Sequence, residues 1–197
     1  MRIVLATKNP GKLRELRELA DGHLTVEFDL APDNFDPEET GSTFMENALI
    51  KAREAARMCN QPALADDSGI VVDALNGEPG IRSARYCDGD DRDRRLKLLQ
   101  EMEAVPEGKR QAAFVCAMAL VDKSGRILHT SEGRWPGRIG FKERGENGFG
   151  YDPIFLMPTE DTTSAELSRD EKNKLSHRGQ AFRAMLDYLS REQIRDA

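Results

Sequence analysis

With 197 residues and 39% hydrophobic content, the chain suits one α/β domain, or two lobes sharing a core. A formal net charge of -6, with both signs interspersed, argues against general DNA or RNA binding but leaves room for a local basic pocket that takes a small phosphorylated ligand. Three cysteines without a CxxC spacing argue against a disulfide framework or a structural zinc site. With no signal-peptide pattern and no apolar run long enough to span a bilayer, the expected compartment is the cytoplasm, with no membrane partner.

In chain order, Ile3 to Ala6 reads as a short buried strand, and Leu13, Leu16 and Leu19 as one face of the helix that follows. Leu24 to Phe28 is a second strand, and the Pro- and Asp-rich stretch after it is a loop. Thr43 and Glu46 have capping-box spacing, so a helix is expected from there to about Cys59, with Phe44, Ala48, Ala52 and Ala55 buried. Ala63 to Ala65 is a short strand ending in Asp66-Asp67-Ser68-Gly69, and Ile70 to Val72 resumes it. A glycine-punctuated loop leads to a helix around Leu96 and Leu99, and Ala112 to Val121 reads as a central strand buried on both faces. A turn at Lys123-Ser124-Gly125 then gives a hairpin into Ile127 to Glu132, followed by a glycine-rich stretch containing Trp135. Two C-terminal helices are expected, one capped by Ser168 and one by Ser176, the last burying Ala181, Phe182, Met185 and Leu189. No repeat or linker interrupts residues 1–197, which are taken as one domain.

Three clusters bear on chemistry. Thr7-Lys8-Asn9-Pro10-Gly11-Lys12 joins a strand to a helix; it lacks the pattern of a Walker A loop, but it aims helix N–H groups, polar side chains and lysine charge at a place where an anion could sit. An ordinary Asn-Pro-Gly turn with solvated lysines suits the same residues. Asp66 and Asp67 lie at a strand end, where only one of two successive side chains can face a given site, and Glu38 and Glu39 form a second acidic pair. Hard oxygen ligands from two loops fit Mg2+, which shares itself with substrate phosphates. Farther on, Phe149, Gly150, Tyr151 and Asp152 set rings among glycines, suited to stacking on a base or to anchoring a loop, while Lys172, Lys174, His177 and Arg178 gather cationic groups around a helix start.

The segments LATKNPGKLREL, EETGSTFMENALIKA, ADDSGIVVDAL, GEPGIRSARY, GFGYDPIF, AELSRDEKN and SHRGQA stand in an order that resembles the inosine triphosphate pyrophosphatase family, the non-canonical purine NTP pyrophosphatases, from Ile3 to about Leu189. The resemblance implies an α/β fold, a strongly twisted mixed sheet with flanking helices in two lobes around a long central cleft, and a homodimer. It implies hydrolysis of ITP, dITP or XTP to the monophosphate and pyrophosphate, which cleanses the nucleotide pool. Carried over by position, Thr7, Lys8, Asn9, Pro10, Gly11 and Lys12 form the phosphate loop, with Lys8 departing from the glycine of better-known members. Asp67 is the catalytic acidic residue and Ser68 lies beside it at the substrate; Glu38, in preference to Glu39, joins Asp67 as a Mg2+ ligand. Phe149 to Asp152 form the base-binding segment, and Lys172, His177 and Arg178 complete the substrate contacts. The loop YCDGDDRDRR looks locally different and receives no role. The rival expectation is a Maf-like pyrophosphatase acting on pyrimidine or modified nucleotides.

Overall fold

The computed structural model describes residues 2–8, 10–20, 26–158 and 161–195, the side chains of residues 10, 11, 15, 18, 19 and 192–195 excepted. Six strands form one mixed sheet: β1 (Arg2–Leu5), β2 (Glu27–Leu30), β3 (Ala63–Val72), β4 (Gln111–Val121), β5 (Ile127–Ile139) and β6 (Phe155–Leu156), in the order β2-β1-β3-β4-β5-β6. β1 pairs in parallel with β2 and with β3, in a register that sets Leu5 beside both Leu30 and Leu64, whereas β5 and β6 are antiparallel. Among the described residues five α-helices accompany the sheet: α1 (Pro10–Ala20), α2 (Phe44–Cys59), α3 (Asp91–Glu101), α4 (Arg169–Leu175) and α5 (His177–Arg195). None of the described helices is long and apolar enough to cross a membrane.

The chain divides into two compact units. The first comprises Met1–Asp67, Cys116–Gly133 and Arg178–Ala197. One of its apolar clusters sets Ile3, Leu5, Leu64, Met118 and Leu120 against Leu13 and Leu16 of α1 and Ala181, Phe182, Met185 and Leu189 of α5. The larger α5 side chains are buried as the helical spacing predicts, and each contributes about 2 kcal/mol by leaving water. A second cluster packs the alanines of α2 against Val4, Ala65, Ala119 and Val121, and small side chains let this helix approach closely. Thr43 caps α2 by accepting from the Glu46 N–H, while the Glu46 carboxylate reaches back to Ser42 instead of Thr43. Asn47, not Phe44, completes the buried face.

The second unit comprises Ser68–Val115 and Arg134–His177. Its core gathers Ile70, Val72, Leu98, Phe114, Trp135, Tyr151, Ile154 and Phe155. Buried Arg110 donates to the carbonyl oxygens of Met102, Val105, Ile139 and Gly140, so its polar atoms are satisfied without a carboxylate.

Three expectations change. β3 does not stop at the aspartates: it runs unbroken through Asp66 to Gly69, because both carboxylates find cationic partners and the backbone stays extended. β5 extends past Glu132 through Trp135 to Ile139, with Gly137 needed where a Cβ would lie 2.5 Å from the Leu156 carbonyl oxygen. On α3, Leu98 is buried and Leu99 packs partly buried on the same core, with Met102 buried just past the helix end; of the expected face Leu96 alone is exposed. Of the predicted Leu24–Phe28 strand, residues 24 and 25 lie outside the described residues, as does Leu19's side chain.

Candidate active site

In the first unit, β1 ends at Leu5 and α1 begins at Pro10, a residue suited to a first helical position because its missing N–H would have no helical partner there. Thr7 is half-buried and Lys8 exposed; Asn9 lies outside the described residues, and Pro10 and Gly11 are described only as the helix start. Lys12, in the first turn of α1, donates from Nζ to Asp66 Oδ1 at 2.9 Å and Oδ2 at 3.0 Å. Arg178, in the first turn of α5, approaches Asp66 Oδ2 at 3.5 Å. A β-strand turns successive side chains to opposite faces, so Asp67 meets a different set: Lys51 Nζ at 2.8 Å from Oδ1 and Asn47 Nδ2 at 3.4 Å from Oδ2. Lys51 also lies 2.8 Å from Glu39 Oε1.

One ammonium therefore binds two carboxylates delivered by separate segments, Glu39 from the loop before α2 and Asp67 from β3. Glu38, the residue expected to partner Asp67, is exposed, whereas Glu39 is half-buried against Lys51. Asn47 and Lys51 were missed in the sequence. They stand one helical turn apart on α2, where Asn47 interrupts an alanine face; that buried polar residue was the available signal. Asn47 also accepts from the Gly41 N–H at 2.8 Å, which ties the acidic loop to the helix.

Electrostatics separates the two aspartates. Burial alone would raise the Asp66 carboxyl, but Lys12, Arg178 and Lys51 outweigh it and hold the group well below the usual carboxylate range. For Asp67, burial dominates and Glu39 adds to it; Lys51 and Asn47 only partly offset them, so its carboxyl is raised. Burial works against the Lys51 charge, yet Asp67 and Asp66 outweigh it and raise its ammonium. Adjacent carboxyls pushed in opposite directions suit opposite tasks, one a fixed counter-ion and one an acceptor of protons.

The second unit holds the remaining candidates. Ser68, half-buried on β3, directly follows Asp67. Phe149 is 60% exposed, with Lys172 Nζ lying 4.7 Å from its ring centroid. Tyr151 does the opposite: its ring is buried in the core and its hydroxyl donates to the Ser83 carbonyl oxygen at 2.9 Å, so only Phe149 offers a ring face for stacking. Asp152 is 2% exposed and organises the segment from below. It accepts from the Phe149 N–H at 2.8 Å, from the Ser164 hydroxyl at 2.8 Å and from Lys172. His177 is buried, stacked on Phe114 with ring centroids 4.9 Å apart. Gly148 has φ +77°, and a Cβ there would lie 2.1 Å from Asp152 Oδ2. Gly148→Ala is accordingly expected to push Asp152 off the Phe149 N–H and to cost about 1–3 kcal/mol of stability, measurable by denaturant unfolding; an unchanged midpoint would contradict this placement.

A family model described as the Ham1 family matches residues 3–188. The dITP/XTP pyrophosphatase of Yersinia pseudotuberculosis is 50% identical over 195 residues, covering 95% of this chain and 98% of the relative. That of Escherichia coli K12 is 47% identical over 197 residues with the same coverage. Among solved structures, a HAM1 protein from Coxiella burnetii superposes with a TM-score of 0.89 at 44% identity, covering 97% of this chain and 99% of that one. The Staphylococcus aureus Ham1 protein gives 0.88 at 38% identity, covering 98% and 100%. With one family model spanning nearly every described element and relatives of close to half identity along the same length, the chain belongs to the Ham1 family.

Proposed function

We propose that this protein is a nucleoside-triphosphate pyrophosphatase. It hydrolyses the deaminated purine nucleotides ITP, dITP and XTP to the monophosphate and pyrophosphate, with Mg2+, and works as a cytoplasmic homodimer. The substrate class is supported by relatives named dITP/XTP pyrophosphatase at 47–50% identity; the dimer and the compartment rest on the family resemblance. The observation that carries the chemistry is the meeting of Asp67 and Glu39 on Lys51, one residue along β3 from the aspartate that holds Lys12 and Arg178.

The donor set fits Mg2+. No group of three or more His, Cys, Asp or Glu among the described residues could enclose a metal, but Mg2+ is ordinarily held by one or two carboxylates plus waters and substrate phosphates. Asp67 and Glu39 would hold it, with Glu39 replacing Glu38 in that role. When bound, the cation neutralises phosphate oxygens that would otherwise repel a nucleophile. The chain's own groups do the rest. Asp67, with its raised carboxyl, orients the attacking water and takes its proton. Lys51 offsets the repulsion between the two carboxylates. Lys12 and Arg178, held in place by Asp66, stabilise charge on the departing pyrophosphate. Lys172 is committed to Asp152 and the Phe149 ring, so it serves the base-reading segment.

Hypoxanthine and xanthine present a 6-oxo acceptor where adenine presents an amino donor, and a site with donors there leaves adenine mismatched. Comparing kcat/KM for ITP, XTP, GTP and ATP tests the substrate class. ITP and XTP are expected to exceed ATP by about 10²-fold or more. Equal values would overturn it.

A further inference from the structure

Residues 87–95, CDGDDRDRR, begin α3, and most of their charge serves that helix start. Asp90 accepts from the Arg92 N–H at 2.7 Å and the Asp93 N–H at 3.1 Å, and Asp93 returns the bond to the Asp90 N–H at 2.9 Å. Arg94 donates to the Gly89 carbonyl oxygen at 2.9 Å and to Asp91 at 2.8 Å. Helix capping does not account for the Asp91–Arg95 pair. These residues stand one turn apart, on one face of the helix, and both reach a single residue far along the chain. The Gly150 N–H donates to Asp91 Oδ2 at 2.9 Å, and Arg95 Nη1 donates to the Gly150 carbonyl oxygen at 2.8 Å. Both backbone polar groups of Gly150 are thus held by two side chains of opposite charge.

The clamp has its own support. Glu143 Oε1 lies 2.6 Å from Arg95 Nε, and the Arg95 side chain is only 14% exposed, so the guanidinium is oriented before it meets the carbonyl. Arg92 Nε approaches the other Glu143 oxygen at 3.6 Å. Gly150 itself has φ +57°, and no heavy atom lies within 4 Å of where its Cβ would be. Van der Waals packing on that side does not fix this peptide. Its neighbours differ: Tyr151 is anchored in the core and Phe149 is largely exposed. With Asp152 holding the Phe149 N–H on one side, the Gly150 backbone is the second point that fixes where the Phe149 ring stands.

We propose that Asp91 and Arg95, backed by Glu143, are positioning residues that lock the backbone of Gly150 on both sides and so preset the Phe149 ring for the purine base. This rests on the reading of Phe149 to Asp152 as the base-reading segment. A loop ordered before binding does not lose that freedom on binding, so the clamp acts on affinity, while the proton and leaving-group chemistry belongs to Asp67, Lys12 and Arg178.

The test combines backbone hydrogen exchange with steady-state kinetics on ITP for Asp91→Ala, Asp91→Asn, Arg95→Ala and the double alanine variant. In Asp91→Ala, exchange of the Gly150 amide should quicken at least about tenfold, and KM should rise about tenfold with kcat within about twofold. Asp91→Asn keeps an acceptor oxygen at that place and should recover most of both losses. Because the two side chains hold the two peptides that flank one residue, the double variant should be little worse than either single one. Unchanged Gly150 protection in Asp91→Ala overturns the clamp whatever the kinetics, and a fall in kcat with KM unchanged overturns its role in positioning the base. The exchange measurement needs no substrate. A wild-type protein that leaves ITP intact, yet loses protection at Gly150 on substitution, would refute the pyrophosphatase reading and keep the clamp.

Discussion

Asp67→Asn is expected to fold as the wild type does and to hydrolyse ITP about 10³-fold more slowly or worse. The substitution keeps the shape of the side chain and one oxygen that accepts from Lys51, giving up only the longer bond from Asn47, so α2 and β3 keep their main contact. It removes the negative charge that takes a proton from water and shares a cation with Glu39. Burial together with Glu39 already raises this carboxyl, which brings it closer to the neutral range, where a general base works best. Asp66 cannot substitute for it, because it faces the other side of the strand and is held in its charged form by Lys12 and Arg178. Kinetics alongside a thermal melt check this: near-normal turnover would remove Asp67 from the chemistry, and loss of the cooperative melt would mean that its part is structural.

Asp66→Asn is expected to be a stability variant first. Asp66 sits under Lys12 and Arg178 with its side chain 10% exposed, and Arg178 is as buried. Neutralising the acid removes the buried charge that Lys12 and Arg178 both approach, which costs about 3 kcal/mol. The sign of its pH dependence follows from the lowered carboxyl. A group whose folded pKa lies below its unfolded value stabilises the fold above the unfolded pKa and ceases to do so as pH falls through the folded one. The gap between wild type and Asp66→Asn should be full at neutral pH and shrink as pH drops below about 4, the ordinary aspartate value. Denaturant titrations at neutral and acid pH measure it; a gap that widens in acid would contradict the assigned pairing. Activity should fall as well, since Lys12 and Arg178 lose the group that aims them.

Much of this was legible in the chain. The cap at Thr43, the twice-buried run of β4 and the face of α5 are local patterns whose periodicity survives folding because each buries an unbroken apolar set. The division of labour between Asp66 and Asp67 follows from strand alternation alone, although which aspartate meets which cation does not. That needs the distance between Lys51 and β3, which no local pattern encodes. Which of Glu38 and Glu39 lies against Lys51 was not legible for a related reason: in an irregular loop no period tells which of two neighbours turns inward. On α3 the exposure of Leu96 was not legible because a helix rich in arginine offers little apolar contrast, and the arginines that blurred it include one that holds Gly150. Tyr151 and Phe149 looked alike among their glycines; only the buried acceptor at Ser83 sends one ring into the core while the other stays at the surface.

The most direct measurement resolves by phosphorus NMR the products that wild type and Asp67→Asn form from ITP with Mg2+. The two carboxylates on Lys51 and the two cations on Asp66 predict inosine monophosphate and pyrophosphate from the wild type and unchanged ITP from the variant. Release of orthophosphate and inosine diphosphate, or equal pyrophosphate from both proteins, would contradict that prediction.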